Sequence, residues 1–160
     1  MKLHAGLTRS KAVLAPSFLG LVLAVPAPQS PARQSVADNA ELGKTRSRAA
    51  TQHEIVVLLL EKKEFEKAAS EAGKIFEMKW PPDQEQVLLR ELLFFSDQFL
   101  HRDQAHVALL LLDKNMKWFK SEASQAAIWK DKGYLFKRMN QMDKALDCFR
   151  EAQRLEKNNQ

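Results

Sequence analysis

The chain has 160 residues and a mass of 18.3 kDa, which allows one domain or one small domain with a tail. Its 45% apolar and 28% charged residues are ordinary for a globular protein, and five glycines with six prolines exclude a collagen-like chain. The single cysteine, Cys148, excludes an intrachain disulfide framework and a zinc site built on several thiolates.

The net charge of +5 is concentrated at the N-terminus. Residues 1–37 contain four basic and no acidic residues, whereas the rest of the chain holds 21 basic and 20 acidic residues. Nucleic-acid binding needs a surface rich in Lys and Arg, and the body of the chain is nearly neutral. We therefore expect no nucleic-acid partner.

The first 25 residues resemble an export signal. Lys2, Arg9 and Lys11 form a basic start, Ala12–Val25 forms an apolar run, and small residues with prolines follow. Fourteen residues span about 21 Å as a helix, less than the roughly 30 Å hydrocarbon core, so no stable membrane span is expected. This pattern predicts an exported protein, periplasmic or secreted, with a cleaved or disordered leader. A segment without acids also fits an organelle-targeting peptide or a cytoplasmic tail.

Residues 26–48 follow as a predicted flexible linker. They combine prolines with a mixed polar run, a composition typical of segments without a fixed fold. The helical domain is therefore expected to cover residues 49–160.

From residue 49 onward the sequence predicts helices, because Leu, Ala, Glu, Lys and Gln dominate and Gly or Pro interrupt only at Gly73, Pro81, Pro82 and Gly133. Thr51 with Glu54, Asp83 with Gln86, and Asn140 with Asp143 are candidate helix starts. Short polar turns predict three antiparallel hairpins. The six predicted helices span roughly 50–62, 65–78, 84–99, 102–116, 122–138 and 141–156.

The last hairpin matches the spacing W-x2-L-G-x2-Y, then A-x3-F and a small residue three further on, at Trp129, Gly133, Phe136, Ala145, Phe149 and Ala152. In this it resembles the tetratricopeptide family, in which small residues let two helices approach and aromatic residues fill the gaps. Residues 126–159 carry the resemblance, and Lys132 departs from it because the pattern has Leu there. Residues 49–82 and 86–117 match more weakly, through alanines 37 and 40 residues apart. The predicted packing residues are Ala68, Ala105, Trp129, Gly133, Phe136, Ala145, Phe149 and Ala152. In this alignment Val56 and Leu93 replace Gly133.

The resemblance implies an all-α fold, a right-handed superhelix of three antiparallel helix pairs (a TPR-like α-solenoid), with a concave groove that binds a peptide or helix of a partner. Cationic and aromatic groove positions suit a peptide with acidic and apolar residues. Acids at Glu91 and Asp131 argue against the clamp by which some family members hold a terminal carboxylate. The predicted groove residues are His53, Val57, Leu60, Arg90, Phe94, Asp97, Lys130, Tyr134 and Lys137.

We expect no enzyme, no metal and no cofactor. His101 and His106 are five residues apart and do not share a helix face, and the apolar setting of Cys148 indicates a buried thiol. The sequence therefore predicts a non-catalytic adaptor that assists assembly of an envelope complex. The alternative is a structural subunit of a permanent homo- or hetero-oligomer, associating through Leu155 or the connector at Trp118 and Phe119.

Overall fold

The computed structural model describes the backbone of residues 31–158 and the side chains of residues 38–158. The predicted leader, residues 1–25, and the first residues of the predicted linker lie outside this part. All regular structure in the described part is helical, as predicted. Its helices are α1 Pro31–Glu61, α2 Phe65–Phe76, α3 Glu85–Leu100, α4 Ala105–Asn115, α5 Glu122–Arg138 and α6 Met142–Asn158, with short 3₁₀ turns at Pro82–Gln84 and Met116–Trp118.

The helices pair as hairpins: α1 with α2 (hairpin one), α3 with α4 (hairpin two) and α5 with α6 (hairpin three). Hairpin two lies against hairpin one mainly through α4 and α2, and α5 of hairpin three lies against both α3 and α4. One continuous apolar core joins the hairpins, and its largest fully buried side chains include Phe76, Phe95, Phe99 and Phe119.

The prediction of a flexible linker over residues 26–48 is wrong from residue 31 onward, where α1 has already begun. The second half of this segment contains good helix formers, Ala40, Glu41, Leu42, Lys44, Arg46 and Arg48, which favour helix once it can pack. Thr45 is buried, and Arg46 Nη2 donates a hydrogen bond of 2.8 Å to Gln84 Oε1. Thr51 is consequently inside α1, where its hydroxyl donates to the Ser47 carbonyl instead of capping a helix.

The same backbone turn closes all three hairpins. Lys63, Asp103 and Asn140 have φ of 61°, 58° and 58°, the left-handed conformation that commonly ends a helix. The amide of the next residue donates to the carbonyl five residues earlier, at 2.9 Å in each turn. Asn140 is therefore a turn residue and not the predicted cap of α6. The Asp83 cap is not formed either, because Gln84 takes the N-cap position of α3.

These turns define which residues are equivalent between hairpins. Counting from the left-handed residue, Ala68 and Ala145 correspond to Ala108, so the predicted alignment through Ala105 is wrong by three residues. The error arose because residues 101–103 form the turn and α4 begins at Ala105. The same count places Ser96, and not Leu93, at the position of Gly133.

Side-chain size varies in opposite directions at the positions of Gly133 and Phe149 when the three hairpins are compared. In hairpin three, a Cβ on Gly133 would lie 2.6 Å from Phe149 Cε1, so the phenyl ring occupies the space that a side chain at Gly133 would fill. At these two positions hairpin two has Ser96 and Leu112, and hairpin one has Val56 and Ala72. All four of these side chains are fully buried. From Val–Ala through Ser–Leu to Gly–Phe, a smaller residue at the first position therefore goes with a larger residue at the second.

The remaining predicted packing residues of hairpin three lie inside it or at its edge. Ala145 and Ala152 are buried, and Trp129 and Phe136 are half-buried. Lys132, which departs from the family pattern, is also buried. Its Nζ lies 2.7 Å from Asp113 Oδ1 on α4 and 3.9 Å from the centre of the Trp129 ring. The ammonium group is thus paired with a carboxylate and an aromatic face.

Candidate protein-binding groove

One face of α3 contacts α1 and presents aromatic surface to solvent. Val87, Glu91 and Phe94 recur at the spacing of one helix face, and His53 of α1 lies across from them. The His53 ring stacks on Phe94 with centroids 5.2 Å apart and 26° between planes. Its Nδ1 lies 2.5 Å from Glu91 Oε1, so the carboxylate accepts a hydrogen bond and fixes the ring. Phe94 remains 40% exposed.

A pocket of about 270 Å³, open to solvent, lies beside this cluster, between α1 and α3. The Trp80 indole forms part of its wall and is held by a hydrogen bond of 2.7 Å from Nε1 to the Ile75 carbonyl. Val87 is 40% exposed, so apolar surface is accessible to a ligand. The residues lining the pocket are Ala49, Ala50, His53, Glu54, Ile75, Trp80, Val87, Leu88 and Glu91.

The charge at this pocket differs from the predicted one. Glu54 and Glu91 line it together with His53, and no Lys or Arg does. A partner residue entering here would meet carboxylates, which favour a basic group next to an apolar one. The expectation of a peptide with acidic residues does not fit this part of the groove.

The structure brings some predicted groove residues together and separates others. His53 and Phe94 are in contact, Val57 is half-buried one turn further along α1, and Arg90 is exposed on α3. Asp97 is also exposed, with its Oδ1 3.1 Å from His101 Nδ1 at the end of the helix.

The predicted residues of α5 contact their own hairpin. The Tyr134 ring packs edge-on against Phe149 with centroids 5.2 Å apart, and Lys130 forms an ion pair with Glu156. Lys137 is exposed near the end of α5, whereas Leu60 of α1 is buried.

The corrected alignment also changes the α3 positions. The positions of α3 that are equivalent to the predicted groove residues of α1 and α5 are Leu93, Asp97 and Leu100. The predicted set was Arg90, Phe94 and Asp97. Phe94 nevertheless reaches His53, because a shift of three residues moves a position by less than one helical turn.

Sequence reasoning missed the residues that form the pocket wall. Ala49 and Ala50 stand at the predicted start of the helical domain, and Trp80 stands in the predicted connection between the helices 65–78 and 84–99. Val87 could have been found, because it precedes Phe94 by seven residues on the same helix face.

The two acids that argued against a carboxylate clamp are both engaged by neighbours. Glu91 accepts from His53, and Asp131 Oδ2 accepts a hydrogen bond of 2.5 Å from the buried Ser96 hydroxyl. Burial raises the pKa of Asp131, the Ser96 hydrogen bond opposes this, and the nearby Asp97 carboxylate adds to the rise. This polar contact links α3 to α5 across the hairpin boundary.

None of the helices in the part of the chain that the structure describes is both long and apolar enough to cross a bilayer. Within residues 38–158, no group of three or more His, Cys, Asp or Glu side chains is arranged to hold a metal ion. No family model, curated protein or solved structure matches this chain. Function therefore has to be inferred from the geometry of the molecule.

Proposed function

We propose that this chain is a non-catalytic protein-interaction adaptor that binds a peptide or helix of a partner in the groove between α1 and α3. The observation that carries the proposal is the open pocket lined by Trp80, Val87 and Leu88 beside the exposed Phe94 ring. Soluble domains rarely leave contiguous aromatic and aliphatic surface exposed unless something binds there.

The repeated architecture supports this proposal. Three hairpins share one turn geometry, and the last carries the tetratricopeptide-like pattern around Gly133 and Phe149. Arrays of such hairpins bind partner segments along the surface formed by their first helices, and α1 and α3 are the first helices of hairpins one and two. We propose that the three hairpins form a right-handed superhelix of this kind.

The chemistry of the pocket defines the partner segment. Its apolar wall would take a Leu, Met or aromatic side chain, and Glu54 with Glu91 would pair with a Lys or Arg on the next turn of a bound helix. An amphipathic helix with a basic edge fits this description. His53 contributes a flat surface that is held in place by Glu91.

The test is capture of partners from the native extract, followed by measurement of Kd with the purified partner. Val87→Ser/Phe94→Ala removes exposed apolar surface from the groove and should weaken binding at least tenfold. Leu110→Ala is the matched control, because Leu110 is 65% exposed on α4, outside the groove. Equal affinity of both variants for every captured partner would refute the groove assignment.

We also propose that the protein is exported and acts on an envelope complex, on the basis of its basic and apolar N-terminal sequence. Fusion of residues 1–37 to a reporter that is active only after export should give activity. Lys2→Glu/Arg9→Glu/Lys11→Glu should reduce it. A reporter that stays in the cytoplasm, or enters an organelle, would contradict this localisation.

A further inference from the structure

Because the three hairpins share one turn, a contact made by the second helix of hairpin two can be assigned to the equivalent residues of the second helix of hairpin three. Leu109 and Ala105 of α4 are buried, and they precede Asp113 by four and eight residues on one helix face, where Asp113 pairs with Lys132 of α5. The equivalent residues of α6 are Met142 and Leu146, and they are apolar as well. Met142 is 54% exposed and Leu146 is 48% exposed. We call Met142 and Leu146 the end face.

A complementary face lies on α1. Phe95 of α3 and Lys132 of α5 are equivalent to each other, and both are buried against the preceding hairpin. Their equivalent in α1 is Ile55, which is 40% exposed. Leu135, fully buried in α5, corresponds to Leu58, which is 55% exposed. We call Ile55 and Leu58 the front face.

The polar contacts between hairpins two and three can be transferred to these faces. Glu85 accepts from the Ser121 amide and hydroxyl, and the equivalent residues are Glu122 near the end face and Lys44 near the front face. The opposite charges of Glu122 and Lys44 therefore stand at the positions of the hydrogen-bonded pair Glu85 and Ser121.

Two further contacts between hairpins two and three have residues of compatible charge at the equivalent positions of the two faces. Arg138 of α5 donates to Asp103, and their equivalents are Glu61 on α1 and Asn140, a carboxylate and an amide. Asp113, the partner of Lys132, corresponds to Arg150, which would lie beside Ile55 and its neighbour Glu54. At the transferred positions Glu122 thus meets Lys44 and Arg150 meets Glu54, so the two faces complement each other in charge.

We propose that copies of this chain associate head to tail, with the end face of one copy packed on the front face of the next. The contact would continue the arrangement by which α5 packs on hairpin two. Leu155 and Phe119, expected to support self-association, are buried within the fold and take no part, whereas Trp118 of the same connector is 40% exposed but lies on neither face. Because the two faces differ, the contact is heterologous and each added copy leaves one free end face and one free front face.

The test is sedimentation of the full chain over a wide range of concentration. The parent should form species that grow with concentration beyond a dimer. Leu58→Lys places a cation opposite Arg150 of the next copy, and Leu146→Glu places an acid opposite Glu54 and Glu61. Because like charges would then meet, each variant alone should remain a monomer. Leu110→Lys is the control and should behave as the parent, because Leu110 lies on neither face.

Mixing the two variants is the decisive measurement. Each retains one intact face, so an equimolar mixture of Leu58→Lys and Leu146→Glu should give a one-to-one dimer and nothing larger. A parent that stays monomeric at all concentrations, variants that associate like the parent, or a mixture that stays monomeric would each overturn the proposal. Phe94→Ala should keep full association, which separates this result from any failure of the groove proposal.

Discussion

Three helical glycines allow the close packing of hairpin three to be tested against internal controls. A Cβ at Gly133 would lie 2.6, 2.8 and 2.9 Å from three ring atoms of Phe149. At Gly73 the nearest atom would be Lys114 Nζ at 3.8 Å, and at Gly43 the structure places nothing within 4 Å. The same change to Ala therefore meets a ring at Gly133, an ordinary van der Waals contact at Gly73 and open space at Gly43.

The expected magnitudes follow from two opposing effects. Replacing Gly by Ala inside a helix stabilises it by about 1 kcal/mol, and this alone should apply to Gly43→Ala and Gly73→Ala. At Gly133 the added methyl must displace Phe149, whose ring is held on another side by Tyr134. Overpacking costs about 1–3 kcal/mol, so Gly133→Ala should lower the free energy of unfolding by about 1 kcal/mol.

The assay is urea and thermal unfolding followed by circular dichroism, at a concentration where the chain is monomeric. Gly133→Ala and Gly43→Ala should differ by about 2 kcal/mol, or about 6 °C in Tm. Gly133→Ala/Phe149→Leu copies the smaller pair of hairpin two and should show a favourable coupling of about 1 kcal/mol. If Gly133→Ala were as stabilising as Gly43→Ala, the ring would not restrict this position and the size argument would fail.

Four further substitutions test other contacts. Burial raises the pKa of Glu85, but hydrogen bonds from Ser121, from Ser124 and from the amides of Lys120 and Ser121 outweigh it, so its pKa lies below the ordinary 4.5. The stability that Glu85 contributes is therefore complete above pH 4.5 and lost as pH falls through its folded pKa, and Glu85→Gln should flatten the acid side of the unfolding free energy plotted against pH. Lys132→Leu should preserve or raise the urea midpoint, because Asp113 is 55% exposed and stays hydrated. Asp113→Ala should instead lower the free energy of unfolding by about 2 kcal/mol, because it leaves the buried ammonium group of Lys132 unpaired. Lys63→Gly should raise Tm, through a gain of about 0.5–1 kcal/mol, because φ of 61° costs a side chain but not glycine.

The groove could be predicted only in part. The spacing of helical residues placed His53 and Phe94 on helices that turned out to touch, although through an alignment of hairpin two that was three residues out of register. The pocket wall could not be predicted, because Ala49, Trp80 and Val87 come from two helices and a connection whose relative placement depends on long-range packing. The position of Glu54 and Glu91 at this pocket could not be predicted for the same reason.

The sequence by itself determined that residues 49–158 form helices in three hairpins, since helix propensity and apolar periodicity are local properties. Only the tertiary structure decided that α1 begins as early as Pro31, because residues 38–48 gain stability from contacts such as Arg46 with Gln84, which are 38 positions apart. It also decided the register of hairpin two, because a left-handed residue such as Asp103 carries no fixed sequence signature. Local preference selects the helices, and the packing of distant side chains sets where they begin, how they align and which faces stay open.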